Sequence, residues 1–263
     1  MHPIERLRFV ARAGDADAGL LALEAAEALG DLAREPRALV IACRRLLEFH
    51  PDCGPLWWTA AHVLSAADPA AAARLAARRI SEDPTVEELA AAFPAGALVA
   101  TDAAGSGAEA LAQRPDCDVR LVGTPSALRY ATSRFGRGGR AEADVRVSGF
   151  CPEELAEALA GRPLVVVEAR AAGPDGYVLD LDAAELARAA RAAGLELWVV
   201  AGVGRVLPGP LFSACASSAA GGQLLAASEA ARIVGPDGPT DPLSALGRAD
   251  CPAPAELLNS LSR

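Results

Sequence analysis

The sequence predicts an α/β protein with a helical N-terminal domain over residues 1–90 and a Rossmann-like parallel-sheet domain over residues 91–263. In the first ninety residues, apolar side chains recur at helical spacing. After Pro84, short apolar segments alternate with amphipathic helical segments, which is typical of a doubly wound parallel sheet. One segment, "LVVV" at 164–167, is apolar on both faces, as a central strand covered by helices should be.

The helices of the first domain are separated by prolines. Asp68 and Pro69 open one of them as N-cap and first-turn residue. Trp57 and Trp58 are adjacent, so they cannot both point inward from one helix face. We expect one to meet the second domain or a partner, or else the pair to be half-buried. The predicted helices cover 18–33, 36–51, 54–67 and 70–83.

The second domain is predicted to contain five parallel strands joined by helices, followed by a turn-rich tail. The alternation of strands and helices with short connections implies a parallel, doubly wound sheet. The predicted strands are 96–102, 118–125, 143–150, 163–169 and 196–202, the intervening helices are 103–115, 126–136, 151–161 and 182–194, and the tail is 233–258.

Composition excludes several classes of function. The net charge is −9 and no basic stripe occurs, so a nucleic-acid surface is not expected. All 25 cationic residues are arginine, which excludes a Schiff-base or P-loop lysine. The three histidines all lie before residue 63, which excludes a Ser-His-Asp triad within the later two-thirds, and His50 and His62 are predicted to be helix-end and packing residues.

The six cysteines form no C-x-x-C pair and fit no zinc spacing. No metal and no cofactor are therefore expected, and the thiols are predicted to be reduced and mostly buried. No signal peptide and no apolar run of membrane-spanning length is visible. We expect a cytoplasmic protein that does not contact a membrane.

The first candidate site is the stretch "TDAAGSG", where the first strand of the sheet ends and a helix begins. Glycines at this point let the backbone approach a ligand, and free amides attract anions. The spacing matches neither a P-loop nor G-x-G-x-x-G, and an ordinary strand–helix turn is the alternative interpretation. The candidate ligand-binding residues here are Thr101, Gly105, Ser106 and Gly107, with Asp102 as a candidate catalytic residue.

The second candidate site is "EARAAGPDG", after the fourth strand. Glu168 and Arg170 alternate on a strand end and are predicted to face the same cleft as the first site. Glu168 is a candidate for both catalysis and binding, and Arg170 and Asp175 are candidates for binding. An exposed ion pair at the rim of the sheet is the alternative. Asp180 and Asp182 precede the next helix and are predicted to cap it, with Asp182 at the N-cap.

These segments resemble a known family. "VEARAAGPDGYV" (167–178), "LARAARAAGLELWVVAG" (186–202) and the closing "CPAPAELL" (251–258) are similar to motifs of the superfamily of initiation factor 2B alpha, beta and delta subunits. This superfamily includes methylthioribose-1-phosphate isomerase and ribose-1,5-bisphosphate isomerase. The resemblance implies the fold, a homodimer formed through the C-terminal domain, and an anionic small-molecule ligand.

The chain departs from the isomerases at all four hallmark positions. Ala103 stands where the resemblance implies a cysteine, and Arg170 stands where it implies an aspartate. Asp180-Leu181 replaces an Asn-Lys pair, and "GTPSALR" replaces an E-x-R-P phosphate contact. We therefore predict a diverged member that binds a sugar phosphate or nucleotide without the isomerase reaction. The alternatives are an active sugar-phosphate isomerase using Asp102 and Glu168, with Arg170 holding phosphate, and a non-catalytic assembly subunit.

Overall fold

The N-terminal part of the chain is a layer of packed helices. The structure is a computed structural model, and it describes residues 17–137, 145–218 and 223–258. Asp17 accepts a hydrogen bond from Leu20 N and Asp68 accepts one from Ala71 N, both at 2.9 Å, so the predicted Asp68 cap is confirmed. The helices are α1 (Ala18–Asp31), α2 (Pro36–Phe49), α3 (Gly54–Ser65), α4 (Pro69–Ser81) and α5 (Thr85–Ala92).

Helix α3 lies in the middle of this layer, and it buries both tryptophans. Trp57 and Trp58 are each 1% exposed, so neither is half-buried. Trp57 Nε1 donates to the Pro51 carbonyl at 2.7 Å, and Trp58 Nε1 donates to Asp250 Oδ1 at 3.3 Å. Two adjacent side chains can both be buried because α3 is covered on nearly every side. Trp58 thereby contacts the C-terminal segment, as one alternative predicted.

The rest of the described chain contains the strands β1 (Leu98–Asp102), β2 (Asp118–Val122), β3 (Val145–Ser148), β4 (Leu164–Gly173), β5 (Gly176–Leu179), β6 (Leu197–Val200), β7 (Gln223–Ala226), β8 (Arg232–Gly235) and β9 (Gly238–Thr240). Most of them form a mostly parallel sheet in the order β3-β2-β1-β4-β6-β8-β9. All of these neighbours pair in parallel except β9, which pairs antiparallel to β8. The five predicted strands are confirmed, and β8 lies in the segment predicted as a turn-rich tail.

Strand β4 is longer than predicted because it belongs to two sheets. Its first half pairs with β1 and β6, and its second half pairs antiparallel with β5, which in turn pairs with β7. A register irregularity between Ala169 and Ala171 marks the change of sheet. The helices around the sheets are α6 (Ser106–Ala112), α7 (Pro125–Arg137), α8 (Pro152–Ala158), α9 (Leu181–Ala192), α10 (Gly209–Ser218), α11 (Pro242–Leu246) and α12 (Ala255–Leu258).

The helical layer and the second sheet share one hydrophobic cluster. Trp57, Leu56 and Val63 of α3 belong to the same buried group as Val178 of β5 and Phe212 of α10. The boundary near residue 90 stays a prediction. None of the helices in the described ranges has the length and apolarity needed to cross a membrane.

Cysteine and histidine behave as the sequence indicates. The cysteines are free thiols, and four of them are buried. Burial raises the pKa of Cys53 to about 11. His50 is the C-cap residue of α2, and His62 packs edge-on against Trp58.

Candidate functional site

The candidate site lies where the strand order of the parallel sheet reverses. The parallel strands lie in the order β3-β2-β1-β4-β6-β8 across the sheet. The strand order therefore reverses between β1 and β4. In open α/β sheets, ligands bind outside the carboxyl ends of the strands at this switch point. Asp102 ends β1, and Glu168 lies on the neighbouring strand beyond its last pairing with β1. The structure thus brings together the two predicted catalytic candidates.

Six charged side chains gather at this point, and we call them the switch-point cluster. They come from the α2–α3 connection, from β1 and β4, from the residue before α9 and from the segment after β6. The cluster consists of Asp52, Asp102, Glu168, Arg170, Asp180 and Arg205.

Asp102 is the buried member of the cluster. Its side chain is 6% exposed, and Oδ1 has no hydrogen-bond partner among the described residues. A Cβ placed on Gly105 would lie 3.0 Å from Asp102 Oδ2 and 3.1 Å from Glu168 Oε2, so both carboxyl groups lie against the same face of Gly105. Burial, followed by the charges of Glu168, Asp180 and Asp182, raises the pKa of Asp102 to about 7.

Glu168 is held by three donors. Ser106 N donates to Oε2 at 3.0 Å, and Ser106 Oγ donates to Oε1 at 2.9 Å. Arg205 forms an ion pair with Oε1 at 2.5 Å. Arg205 also donates from Nη1 to the Ala169 carbonyl at 2.7 Å, and its backbone runs beside β4 through the Ala172 N to Arg205 O bond of 2.8 Å.

Arg170 does not pair with Glu168. Its guanidinium lies between Asp52 and Asp180, with Nε 2.6 Å from Asp52 Oδ2 and Nη1 3.2 Å from Asp180 Oδ1. The Nε contact is an ion pair without an aligned hydrogen bond, whereas Nη2 donates to Asp52 Oδ1 at 3.2 Å. The side chains of Arg170 and Asp52 are 21% and 19% exposed, so this ion pair is more enclosed than the exposed Glu168–Arg170 pair that was the alternative interpretation of the sequence. Asp180, rather than Asp182, is the N-cap residue of α9.

The glycine turn is shaped by packing within the protein. Thr101 is fully buried, and a Cβ on Gly107 would collide with Thr101 Oγ1. Gly105 lies against the carboxyl groups of Asp102 and Glu168. The Ser106 amide that was predicted to attract an anion is already bound by Glu168. Of the four binding residues predicted in this turn, Gly105 and Ser106 border the switch-point cluster directly.

Asp175 lies away from the cluster, in the β4–β5 turn. It lines a cavity of about 430 Å³ together with Phe212 and Leu224. A second cavity, of about 410 Å³, lies at the carboxyl ends of β6 and β8, where Gly202 and Gly204 form part of the wall. Neither cavity includes the cluster. We place the site at the cluster because the strand reversal coincides there with the buried Asp102 side chain, whose Oδ1 has no hydrogen-bond partner among the described residues.

Asp52 and Arg205 are members of the cluster that the sequence did not reveal. Asp52 lies in the helical layer, far along the chain from the sheet. Arg205 follows β6 in "AGVGR", and it could have been proposed because β6 adjoins β4 and the ends of parallel strands meet at one edge. No group of three or more His, Cys, Asp or Glu side chains suited to a metal ion occurs within the described ranges.

Comparison with solved structures decides what fold this is. Over 93% of this chain and 98% of the other, the structure superposes on translation initiation factor eIF-2B from Pyrococcus horikoshii OT3, with a TM-score of 0.74 and 15% identity. The chain has the eIF2B fold. It also matches eIF2B beta from Chaetomium thermophilum over 97% of this chain and 91% of that chain, with a TM-score of 0.70 and 14% identity.

The eIF2B fold is shared with an enzyme. The 5-methylthioribose 1-phosphate isomerase from Pyrococcus horikoshii OT3 matches over 93% of this chain and 86% of its own, with a TM-score of 0.55 and 13% identity. No protein-family model and no curated protein sequence match the chain. The resemblance seen in the sequence motifs is confirmed at the level of fold.

Proposed function

We propose that this eIF2B-like protein binds a small phosphorylated metabolite, such as a sugar phosphate or nucleotide, at the switch-point cluster, without the isomerase reaction. The observation that carries the proposal is the arrangement around Glu168. Ser106 N, Ser106 Oγ and Arg205 all donate to one carboxylate at the strand reversal. The same kinds of donors bind phosphate in proteins, and a bound phosphate group would use them by replacing the Glu168 carboxylate.

The experiment is a thermal-shift series with inorganic phosphate, ribose 5-phosphate and AMP. A ligand that binds the native state raises the melting temperature as its concentration increases. The shift should be lost in Arg205→Ala and retained in Arg232→Ala, which removes an exposed arginine of β8. If no compound shifts the wild-type protein at millimolar concentration, the metabolite-binding proposal is wrong, and an assembly subunit without a ligand becomes the favoured function.

A second candidate is a sugar-phosphate isomerase that uses different residues. It is favoured by the position of the Asp102 and Glu168 carboxyl groups against one face of Gly105. A carboxyl whose pKa is about 7 is suited to proton transfer near neutral pH. Conversion of methylthioribose 1-phosphate or ribose 1,5-bisphosphate that disappears in Glu168→Gln would favour this candidate. We expect no conversion, because Ala103 and Arg170 cannot replace the acid and base that the resemblance implies.

Assembly is part of the same proposal. One eIF2B neighbour is a tetrameric beta2-delta2 complex from C. thermophilum, which this chain matches with a TM-score of 0.72. For this protein we propose a homodimer formed through the sheet domain. Multi-angle light scattering at micromolar concentration measures the mass, and a monomer of 26.8 kDa would exclude the dimer.

A further inference from the structure

Asp102 is the member of the switch-point cluster whose surroundings least favour the ionised form. The side chain is more than nine-tenths buried, and Oδ1 meets no donor in the described part of the chain. A buried ionised carboxylate without a partner is strongly unfavourable, so such a group keeps its proton instead. The same carboxyl is directed toward the turn at Gly105, beside the Glu168 carboxylate.

The neighbouring charges add to this effect. Glu168 on β4, Asp180 before α9 and Asp182 within α9 each raise the pKa of Asp102 further. The nearby cations are engaged by other carboxylates: Arg205 pairs with Glu168, and Arg170 pairs with Asp52 and Asp180. Asp102 is therefore close to half-protonated at neutral pH. The Glu168 carboxylate, in contrast, is held by three donors.

We infer that the Asp102 carboxyl group recognises an oxygen atom of the bound metabolite by donating a hydrogen bond to it; this inference rests on the function proposed above. A protonated carboxyl carries one O–H donor, and a carboxyl kept neutral by an apolar site can serve as that donor. A phosphate or sugar hydroxyl oxygen is the acceptor that fits. Once ionised, Asp102 loses its donor and repels an anionic ligand.

The test is calorimetric titration of ribose 5-phosphate and of AMP at pH 5.5 and pH 8.5 with the wild type and two variants. Asp102→Asn keeps a donor that does not titrate, and Asp102→Ala has none. Asp118→Asn, an exposed aspartate at the start of β2, is the matched control. If the protein binds only with Asp102 protonated, and the pKa of Asp102 is about 7, the wild-type affinity should be about 30-fold lower at pH 8.5 than at pH 5.5.

Ionisation of the ligand phosphate changes affinity in every variant, so the comparison between variants is decisive. The wild type and Asp118→Asn should show the additional loss of about 30-fold at pH 8.5, and Asp102→Asn should not. Asp102→Ala should bind weakly at pH 5.5. Equal pH dependence in the wild type and Asp102→Asn overturns the role of Asp102 while leaving metabolite binding intact. If the wild type binds neither ribose 5-phosphate nor AMP at either pH, the proposed function and this inference are overturned together.

Discussion

Glu168 and Arg205 form an ion pair that ties β4 to the segment following β6, with 2.5 Å between Arg205 Nη2 and Glu168 Oε1. The two side chains are 18% and 11% exposed, respectively. The pair is thus largely removed from water, and each charge depends on the other. The same arginine also donates to the Ala169 carbonyl, so it stabilises the strand as well as the carboxylate.

Arg205→Ala should destabilise the protein. The substitution leaves the Glu168 carboxylate partly buried and without its cation. Losing one partner of a buried pair costs about 3–5 kcal/mol, and the residual exposure of Glu168 places the expected loss at the lower end of that range. Urea denaturation measures the free energy of unfolding. Combining Arg205→Ala with Glu168→Gln should recover part of the loss, because the second change removes the unpaired charge. Losses that simply add in the double variant would show that the two side chains do not interact.

Arg170→Ala should also cost stability, in contrast to the small effect expected for an exposed rim pair. Arg170 lies between Asp52 of the helical layer and Asp180 before α9, so its loss leaves two carboxylates close together. We expect about 1–3 kcal/mol, since Asp180 is more than half exposed and water screens that part of the interaction. Chemical denaturation of Arg170→Ala beside Arg188→Ala, a variant on α9, measures the difference. Equal denaturation midpoints for Arg170→Ala and Arg188→Ala would mean that Arg170 contributes no more to stability than an exposed arginine at the rim of the sheet.

Gly107→Ala should destabilise the protein because the added Cβ would meet the side chains of Thr101 and Val166. An added methyl group would collide with Thr101 Oγ1 and would lie 3.1 Å from Thr101 Cβ, and Thr101 is fully buried. Overpacking of this kind costs about 1–3 kcal/mol. The melting temperature should fall, and Thr101→Ala in the Gly107→Ala background should restore part of it. No change in melting temperature would mean that the turn is looser than its packing indicates.

The alternation of apolar segments predicted β1, β2, β3, β4 and β6 because each is a short apolar run bounded by turns, and β1, β4 and β6 are buried along most of their length. It did not predict β8. It also did not predict β5 as a strand, since "GYVL" follows a turn and pairs antiparallel with the continuation of β4. The site was predicted only in part. Asp102 ends β1, and Glu168 follows the last pairing of β4 with β1, so strand order can place the two together. The pairing of Glu168 with Arg205 and of Arg170 with Asp52, in contrast, depends on side-chain packing across the fold.

Asp102 should make the stability of the protein depend on pH between about 4 and 7. Its pKa is raised from 3.8 to about 7 in the folded state, so within this range the folded protein holds a proton that the unfolded chain has released. Stability falls with rising pH wherever the folded state binds more protons. The contribution of Asp102 is therefore complete below pH 4, decreases as the pH rises to 7, and is lost above it.

Asp102→Asn removes this dependence, because the amide does not titrate. The free energy of unfolding of Asp102→Asn relative to the wild type should rise from pH 4 to pH 8 by about 4 kcal/mol, because each tenfold change in a protonation equilibrium corresponds to about 1.4 kcal/mol. Other carboxylates titrate in the same range, so the informative quantity is the difference between the two proteins, measured by urea denaturation at each pH. Asp118→Asn, whose carboxyl is exposed, should follow the wild type throughout. Parallel curves for the wild type and Asp102→Asn would show that Asp102 is ionised in the folded protein at neutral pH, and the hydrogen-bond donor assigned to it would then be absent.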